Sequence, residues 1–480
     1  MKKYETYKDS GLEWLGMVPE HWKVMPIKYV LEQSNEGIKI GPFGSALTGK
    51  VSTEHPVRVY GQWNVVGKDF NAGKNFVTEE TYHELSSYQI SANDILISMM
   101  GTVGKCAIIP ETADKGIMDS HIVKVRLDNN KILPKYFYYI YDKDCSKVII
   151  EQIQCNKRGS IMDGLNSSLI KNFVIALPHL SEQRAIVSYL DHKVGKIDAL
   201  ISEKEKMVED LKAYRSSLIT ETVTKGLNKG VEMKDSGLEW LGMVPEHWKV
   251  MPIKYVLEQS NEGIKIGPFG STLTGKVSTE HPVRVYGQWN IVGKDFNASK
   301  NFVTEETYHE LSSYQISAND ILISMMGTVG KCAIIPETAD KGIMDSHIVK
   351  IRLDKNKVLP EYFYYIYDKD CSKVIIEQIQ CNKRGSIMDG LNSSLIKNFV
   401  ITLPPLSEQR TIASYLGQKV GQIDTSISEL EHQLSDLKSY KSSLVTEAVT
   451  GKIDLRDWQK KNHKALWQEH RTKHIWKSTS

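Results

Sequence analysis

SEQRAIVSYLDHKVGKIDALISEKEKMVEDLKAYRSSLITETVT, residues 181–224, and SEQRTIASYLGQKVGQIDTSISELEHQLSDLKSYKSSLVTEAVT, residues 407–450, are the stretches whose reading decides the fold. In both, apolar residues recur in alternating steps of four and three. The first carries Leu190, Val194, Ile197, Ile201, Val208, Leu211 and Leu218, with Lys204 and Arg215 interrupting the seam. The second carries Leu416, Val420, Ile423, Ile427, Leu430, Leu434, Leu437 and Leu444, broken by Lys441. That spacing holds one apolar seam along a helix, as a coiled coil requires. No proline lies inside either stretch, and glycine occurs only at Gly195, Gly417 and Gly421. About 40 residues rising ~1.5 Å each predict a rod of roughly 60 Å. Ser181, before Glu182-Gln183-Arg184, and its copy Ser407 read as helix N-caps. The other reading is two amphipathic helices, each packed on its own globular body, and the length of the seam weighs against it.

The two stretches belong to a larger repeat. Residues 8–224 align with 234–450 at a constant offset of 226 without a gap, differing at 25 of 217 positions. Seven differences fall in residues 8–175 and 18 in residues 176–224. A period this long, present twice, describes a duplicated domain and a connector rather than a solenoid. The linker of residues 226–233 reaches at most about 28 Å, too short to return the chain along a ~60 Å rod. The rods are therefore expected to run antiparallel, with one globular body at each end and a pseudo-two-fold axis between them.

Upstream of residue 180 the pattern changes. Asp94-Ile95-Leu96-Ile97-Ser98 and Cys106-Ala107-Ile108-Ile109 flank Gly101-Thr102-Val103-Gly104, a strand–turn–strand. Residues 121–127 alternate like a half-buried strand, and residues 136–152, after Pro134, read as one helix. Each copy thus opens with a mixed α/β body.

Composition bounds the rest. A chain of 480 residues divides into about three or four units. With 41% hydrophobic and 25% charged residues it can build ample core. No apolar run is long enough to span a membrane, and the opening MKKYETYKDSG lacks the apolar core of a secretory signal. Cys106, Cys145, Cys155, Cys332, Cys371 and Cys381 show no zinc spacing. Reduced thiols and a cytoplasmic location are expected. A net charge of +3 leaves nucleic-acid binding to local patches.

Nothing in the chain reads as catalytic. Gly44-Ser45-Ala46-Leu47-Thr48-Gly49-Lys50-Val51 matches a phosphate loop until Val51, which stands where Ser or Thr must hold Mg²⁺. Leu403-Pro404-Pro405-Leu406 is not a methyltransferase signature, and no nucleophile–base order or metal cluster occurs.

The order of several motifs resembles one family. They are Gly-Leu-Glu-Trp-Leu-Gly-x-Val-Pro-Glu-His-Trp at residues 11–22 and 237–248, then Gly41-Pro42-Phe43-Gly44-Ser45 and residues 94–104. Leu-Pro-x-Leu-Ser-Glu-Gln-Arg follows at each junction, with Leu-Ile/Val-Thr-Glu-x-Val-Thr at each helix end. Over about residues 8–455 the chain is similar to the specificity subunits of type I restriction–modification systems. The resemblance implies an α/β (α+β) fold: two homologous target-recognition domains separated by a long antiparallel two-helix coiled coil. It implies recognition domains at residues 1–180 and 226–406, spacer helices at 181–225 and 407–452, and a basic, Trp-containing tail at 453–480. Each recognition domain would read half of a split site on double-stranded DNA. The helices would dock two adenine-N6 methyltransferase subunits and, through them, restriction/translocase subunits. S-adenosylmethionine, ATP and Mg²⁺ would belong to those partners, so no cofactor is expected in this chain. A stand-alone DNA-binding regulator resembling a fused dimer, and a coiled-coil protein scaffold, are the alternatives.

Base edges are read by Arg, Lys, Asn and Gln, and phosphates by Lys, Ser and backbone N–H groups. The candidates are Lys50, Gln62, Asn64, Lys105, Lys157, Arg158 and Ser160, with copies Lys276, Gln288, Asn290, Lys331, Lys383, Arg384 and Ser386. Each could equally be a solvated loop residue. Trp63 and Trp289 are expected in the core rather than as base-stacking platforms, and His121 and His347 as strand residues rather than metal ligands. In the tail, residues 456–480 hold seven Lys/Arg against two Asp/Glu, which suits a partner or phosphate contact, or a frayed end.

Overall fold

The computed structural model describes every residue except 1, 34–36, 100–103, 143, 157–165, 260–262, 300, 326–329, 369, 371–372, 384–391 and 459–480. Two compact units emerge: Met1–Lys204 with His432–Ser480, and Glu205–Glu431.

In the first unit a four-stranded antiparallel sheet runs in the order Ile38–Ile40, Ile122–Val125, Ile95–Ser98, Cys106–Ile108. A three-stranded sheet places Val57–Tyr60 between Phe76–Val77, antiparallel, and Gly116–Met118, parallel. Lys23–Pro26 pairs with Val174–Leu177, and Tyr7–Asp9 with Met17–Pro19. The second unit repeats these strands and pairings from Met233–Asp235 to Val400–Leu403.

Three expectations are corrected. Ile122–Val125 is buried on both faces rather than one, because both neighbouring positions in the sheet are filled and both faces are covered. Lys124 is carried inside with it, and its Nζ donates to the carbonyls of Ser87 and Gln89. The expected single helix after Pro134 is two, Pro134–Tyr141 and Val148–Asn156. The chain turns out at Asp142, whose carboxylate accepts from the backbone N–H groups of Cys106 and Asp144. Ser181 and Ser407 are not N-caps: the long helices begin at Leu180 and Leu406. The carbonyls of His179 and Pro405 accept the first helical bonds instead.

The long helices, Leu180–Lys225 and Leu406–Val449, are continuous. Within the first unit Asp198 meets Lys441 at 2.7 Å and Lys204 donates to Gln433. Within the second, Lys212 meets Glu431 and Arg215 meets Asp424. In each unit the partner's number falls as the other rises, so the pairing is antiparallel. Leu190, Val194, Ile197 and Ile201 are buried along one helix, and Leu416, Val420, Ile423, Ile427 and Leu434 along the other. The residues that interrupt the seam, Lys204, Arg215 and Lys441, each form an interhelical bond, as Lys212 also does.

Each body closes on a helix end. In the second unit Ile219 and Val223 join Ile412, Leu416 and Val420 in a core with Trp248, Tyr362 and Phe363. Tyr362 Oη and Thr402 Oγ1 donate to the Val223 carbonyl. In the first unit Tyr136 Oη donates to the Val449 carbonyl, and the Lys147 N–H to Thr446 Oγ1. There the start of the tail completes the seal. Ile453 and Leu455 are buried, the Asp454 N–H donates to the Lys2 carbonyl at 2.9 Å, and Trp458 stands edge-on to Tyr189 at 4.8 Å. Residues 459–480 lie outside the described residues. Among the described residues no helix is long and apolar enough to cross a membrane.

Candidate nucleic-acid interface

One turn in each unit gathers the most exposed large side chains. Asp119-Ser120-His121 joins Gly116–Met118 to Ile122–Val125. Its Asp119 N–H donates to the Tyr60 carbonyl, and Asp119 Oδ1 accepts from the His121 N–H. Burial pushes the Asp119 carboxyl above the usual carboxylate range. Two glycines pack on it so tightly that no side chain fits. A Cβ on Gly41 would collide with the Asp119 backbone carbonyl, and one on Gly61 with its carboxylate. Gly41 leads into Pro42-Phe43, and Gly61 opens the short helix Gln62–Gly67, which carries Trp63. Phe43 is 88% exposed and Trp63 83%. The second unit repeats the arrangement around Asp345, with Phe269 and Trp289 each 86% exposed. The expectation that Trp63 and Trp289 lie in the core is thereby overturned. Each ring follows a glycine packed against Asp119 or Asp345, and each is exposed to solvent.

The sequence candidates divide. Asn64 is buried, 3% exposed. Its Oδ1 accepts from the Gly61 N–H, and its Nδ2 donates to the carbonyls of Asp69 and Ala72. Asn290 does the same with Gly287, Asp295 and Ala298. Both amides are spent inside the domain, so Asn64 and Asn290 shape the turn and do not face a base. Asn64→Ala leaves the Gly61 N–H and the Asp69 carbonyl without the amide, while the Ala72 carbonyl keeps Arg58, a loss of about 1–3 kcal/mol. Thermal melting of the first unit measures it, and an unchanged melt would show the turn is held otherwise. Gln62 and Gln288 sit beside the exposed Trp, at the first position of their helices.

Lys50 pairs with Glu84 and Lys276 with Glu310, on the surface. Exposed pairs of this kind hold weakly, so a phosphate can displace the carboxylate. Lys105 and Lys331 pair with Asp144 and Asp370. In the second unit Lys331 lines a cleft of about 510 Å³ with Lys212, Arg215, Lys294, Asp368 and Asp424. Lys157, Arg158, Ser160, Arg384 and Ser386 lie outside the described residues, as does the side chain of Lys383. His121 and His347 are exposed beside Asp119 and Asp345, and no metal-binding group of three occurs among the described residues.

Sequence reasoning leaves out Phe43 and sets Trp63 aside as a stacking platform. The signal was present in Gly41-Pro42-Phe43-Gly44 and Gly61-Gln62-Trp63-Asn64, where aromatics stand among turn formers rather than in an apolar run.

The family described as type I restriction modification DNA specificity domain matches this chain twice, over residues 32–210 and 246–435. The chain belongs to that family. Each match takes in most of one α/β body and part of the helix that follows. Among curated members of the specificity-subunit class, the type I restriction enzyme MjaVIII specificity subunit of Methanocaldococcus jannaschii is 22% identical over 380 residues. That alignment covers 77% of this chain and 81% of the relative. The EcoBI specificity subunit of Escherichia coli is 20% identical over 389 residues, covering 78% and 76%. A chain from a solved type I R-M system assembly superposes with a TM-score of 0.63 at 16% identity. It covers 91% of this chain and 99% of that one, a likeness of fold. This chain is thus a type I specificity subunit with two DNA specificity domains, and the turns that carry Phe43, Trp63, Phe269 and Trp289 lie within them.

Proposed function

We propose that this specificity subunit reads a bipartite DNA site whose two halves form an interrupted palindrome, with one methylated adenine in each half. Residues 1–180 and 226–406 serve as recognition domains, and 181–225 and 407–452 as the spacer. The chain is non-catalytic. It docks two adenine-N6 methyltransferase subunits and, through them, restriction subunits, and these partners hold S-adenosylmethionine, ATP and Mg²⁺. Lys50, Gln62, Lys105, Lys157, Arg158 and Ser160, with their copies, supply contacts to DNA. Residues 453–458 belong to the first body, and the remaining tail is left to partner contact.

One observation carries the symmetry. Residues 8–175 and 234–401 differ only at Ala46/Thr272, Val65/Ile291, Gly73/Ser299, Val125/Ile351, Asn129/Lys355, Ile132/Val358 and Lys135/Glu361. Val125, Val65 and Ile132 and their copies are buried, and no DNA-contact candidate is among the seven. Matching side chains on matching turns favour the same bases. Ala46/Thr272 is the substitution best placed to make the halves unequal, since a Thr hydroxyl or methyl can contact a base and a wrong base pair costs about 1–3 kcal/mol. Genome-wide mapping of methylated adenines in cells carrying this chain and its methyltransferase tests the reading. The expected motif is the same bases on opposite strands around a fixed gap, and two unrelated half-sites would refute it.

A further inference from the structure

Resting on that DNA-reading role, we propose that Phe43 and Trp63 in the first unit, and Phe269 and Trp289 in the second, enter the base stack of the bound duplex, one aromatic pair per half-site. Four large rings held 83–88% in water are unusual on a protein surface, where such groups collect in contact patches. Their supports are stiff. Gly41 and Gly61 are wedged against Asp119, Pro42 fixes the backbone before Phe43, and Asn64 ties the turn under Trp63. Rings presented this way lose little freedom when they insert.

The surroundings select the occupant. An apolar protein partner needs a contiguous apolar patch, but Phe43 is followed by Gly44 and exposed Ser45, Trp63 follows Gln62, and His121 is exposed on the Asp119 turn. Isolated rings among polar groups fit a stack of bases, whose faces accept aromatic contact and whose edges and phosphates take the polar neighbours. The sequences of residues 41–45 and 61–64 recur unchanged at 267–271 and 287–290, so each half-site receives the same wedge.

The test uses the full-length chain purified with its methyltransferase subunits and a short duplex spanning one mapped methylation site. Permanganate reactivity of thymines reports unstacking, and binding is titrated against salt. The wild-type complex is expected to unstack bases in both half-sites. Trp63→Ala erases the signal in one half only and Trp289→Ala in the other. The double variants W63A/W289A and F43A/F269A bind roughly ten- to a hundred-fold more weakly, with an unchanged salt slope because phosphate contacts remain. Unchanged melting temperatures and retention of Trp63→Phe activity separate this from misfolding. Tight binding by the wild type with every base stacked overturns the wedge and leaves sequence reading intact. Failure of the wild type to bind the mapped duplex removes the DNA-reading role and the wedge together. Loss of methyltransferase co-purification in the alanine variants, with unstacking preserved, assigns the rings to a protein partner and also overturns the proposal.

Discussion

Leu416→Asp unfolds the second unit and spares the first. Leu416 is fully buried among Ile412, Val420, Ile219, Val223 and Tyr362, where both long helices meet the α/β body. Losing the leucine removes about 1.5–3 kcal/mol of apolar burial, and an unpaired carboxylate there costs several more. The sum is comparable with the 5–15 kcal/mol that holds a typical domain together. Hydrogen exchange read by mass spectrometry should show protection lost across residues 233–403 and retained across 7–177. A variant that melts within about 1 kcal/mol of the wild type would mean the helices do not seal this core.

Ending the chain after Thr450 is expected to have the next largest effect, and on the opposite unit. The cut removes buried Ile453 and Leu455, the bond from Asp454 to the Lys2 carbonyl, and the Trp458 contact with Tyr189. Two buried aliphatic side chains amount to about 3–6 kcal/mol, on the order of a ten-degree drop in the melting of that unit. The second unit has no such exposure, because residues 226–232 continue through the corresponding place as peptide chain. Calorimetry should split one transition into two, with the first unit melting early. Equal loss in both units, or none, would contradict the assigned role of residues 451–458.

The seam could be read before the structure because a heptad period reports burial directly. Leu190, Val194, Ile197 and Ile201 are apolar in sequence and buried in space for one reason. The repeat was equally legible, since it needs only alignment. What stayed hidden depends on partners distant in sequence. The break between the helices at Asp142 is set by the Cys106 N–H, far upstream, and no local propensity announces it. Lys124 enters a buried strand because the carbonyls of Ser87 and Gln89 are waiting for it. Asn64 looked like a base reader because an amide beside a Trp in a loop has the right chemistry. Only the positions of Asp69 and Ala72 reveal that the amide is already engaged. Trp63 reads as core because tryptophans more often pack inside than serve as stacking platforms, yet it is exposed on the helix that Gly61 opens against Asp119.

The two units are completed in the reverse of the order in which they are synthesised. The second is one uninterrupted stretch, Glu205–Glu431, whereas the first joins Met1–Lys204 to His432–Ser480. A ribosome that adds about 5–20 residues per second delivers the first body early, then takes on the order of 12–50 s to reach the helix end that closes it. Until Val449 emerges, Tyr136 lacks one of its acceptors and the face that Val445 and Ala448 cover stays wet. The nascent first body therefore waits longest for the contacts that close it, although its finished sequence is nearly that of its twin.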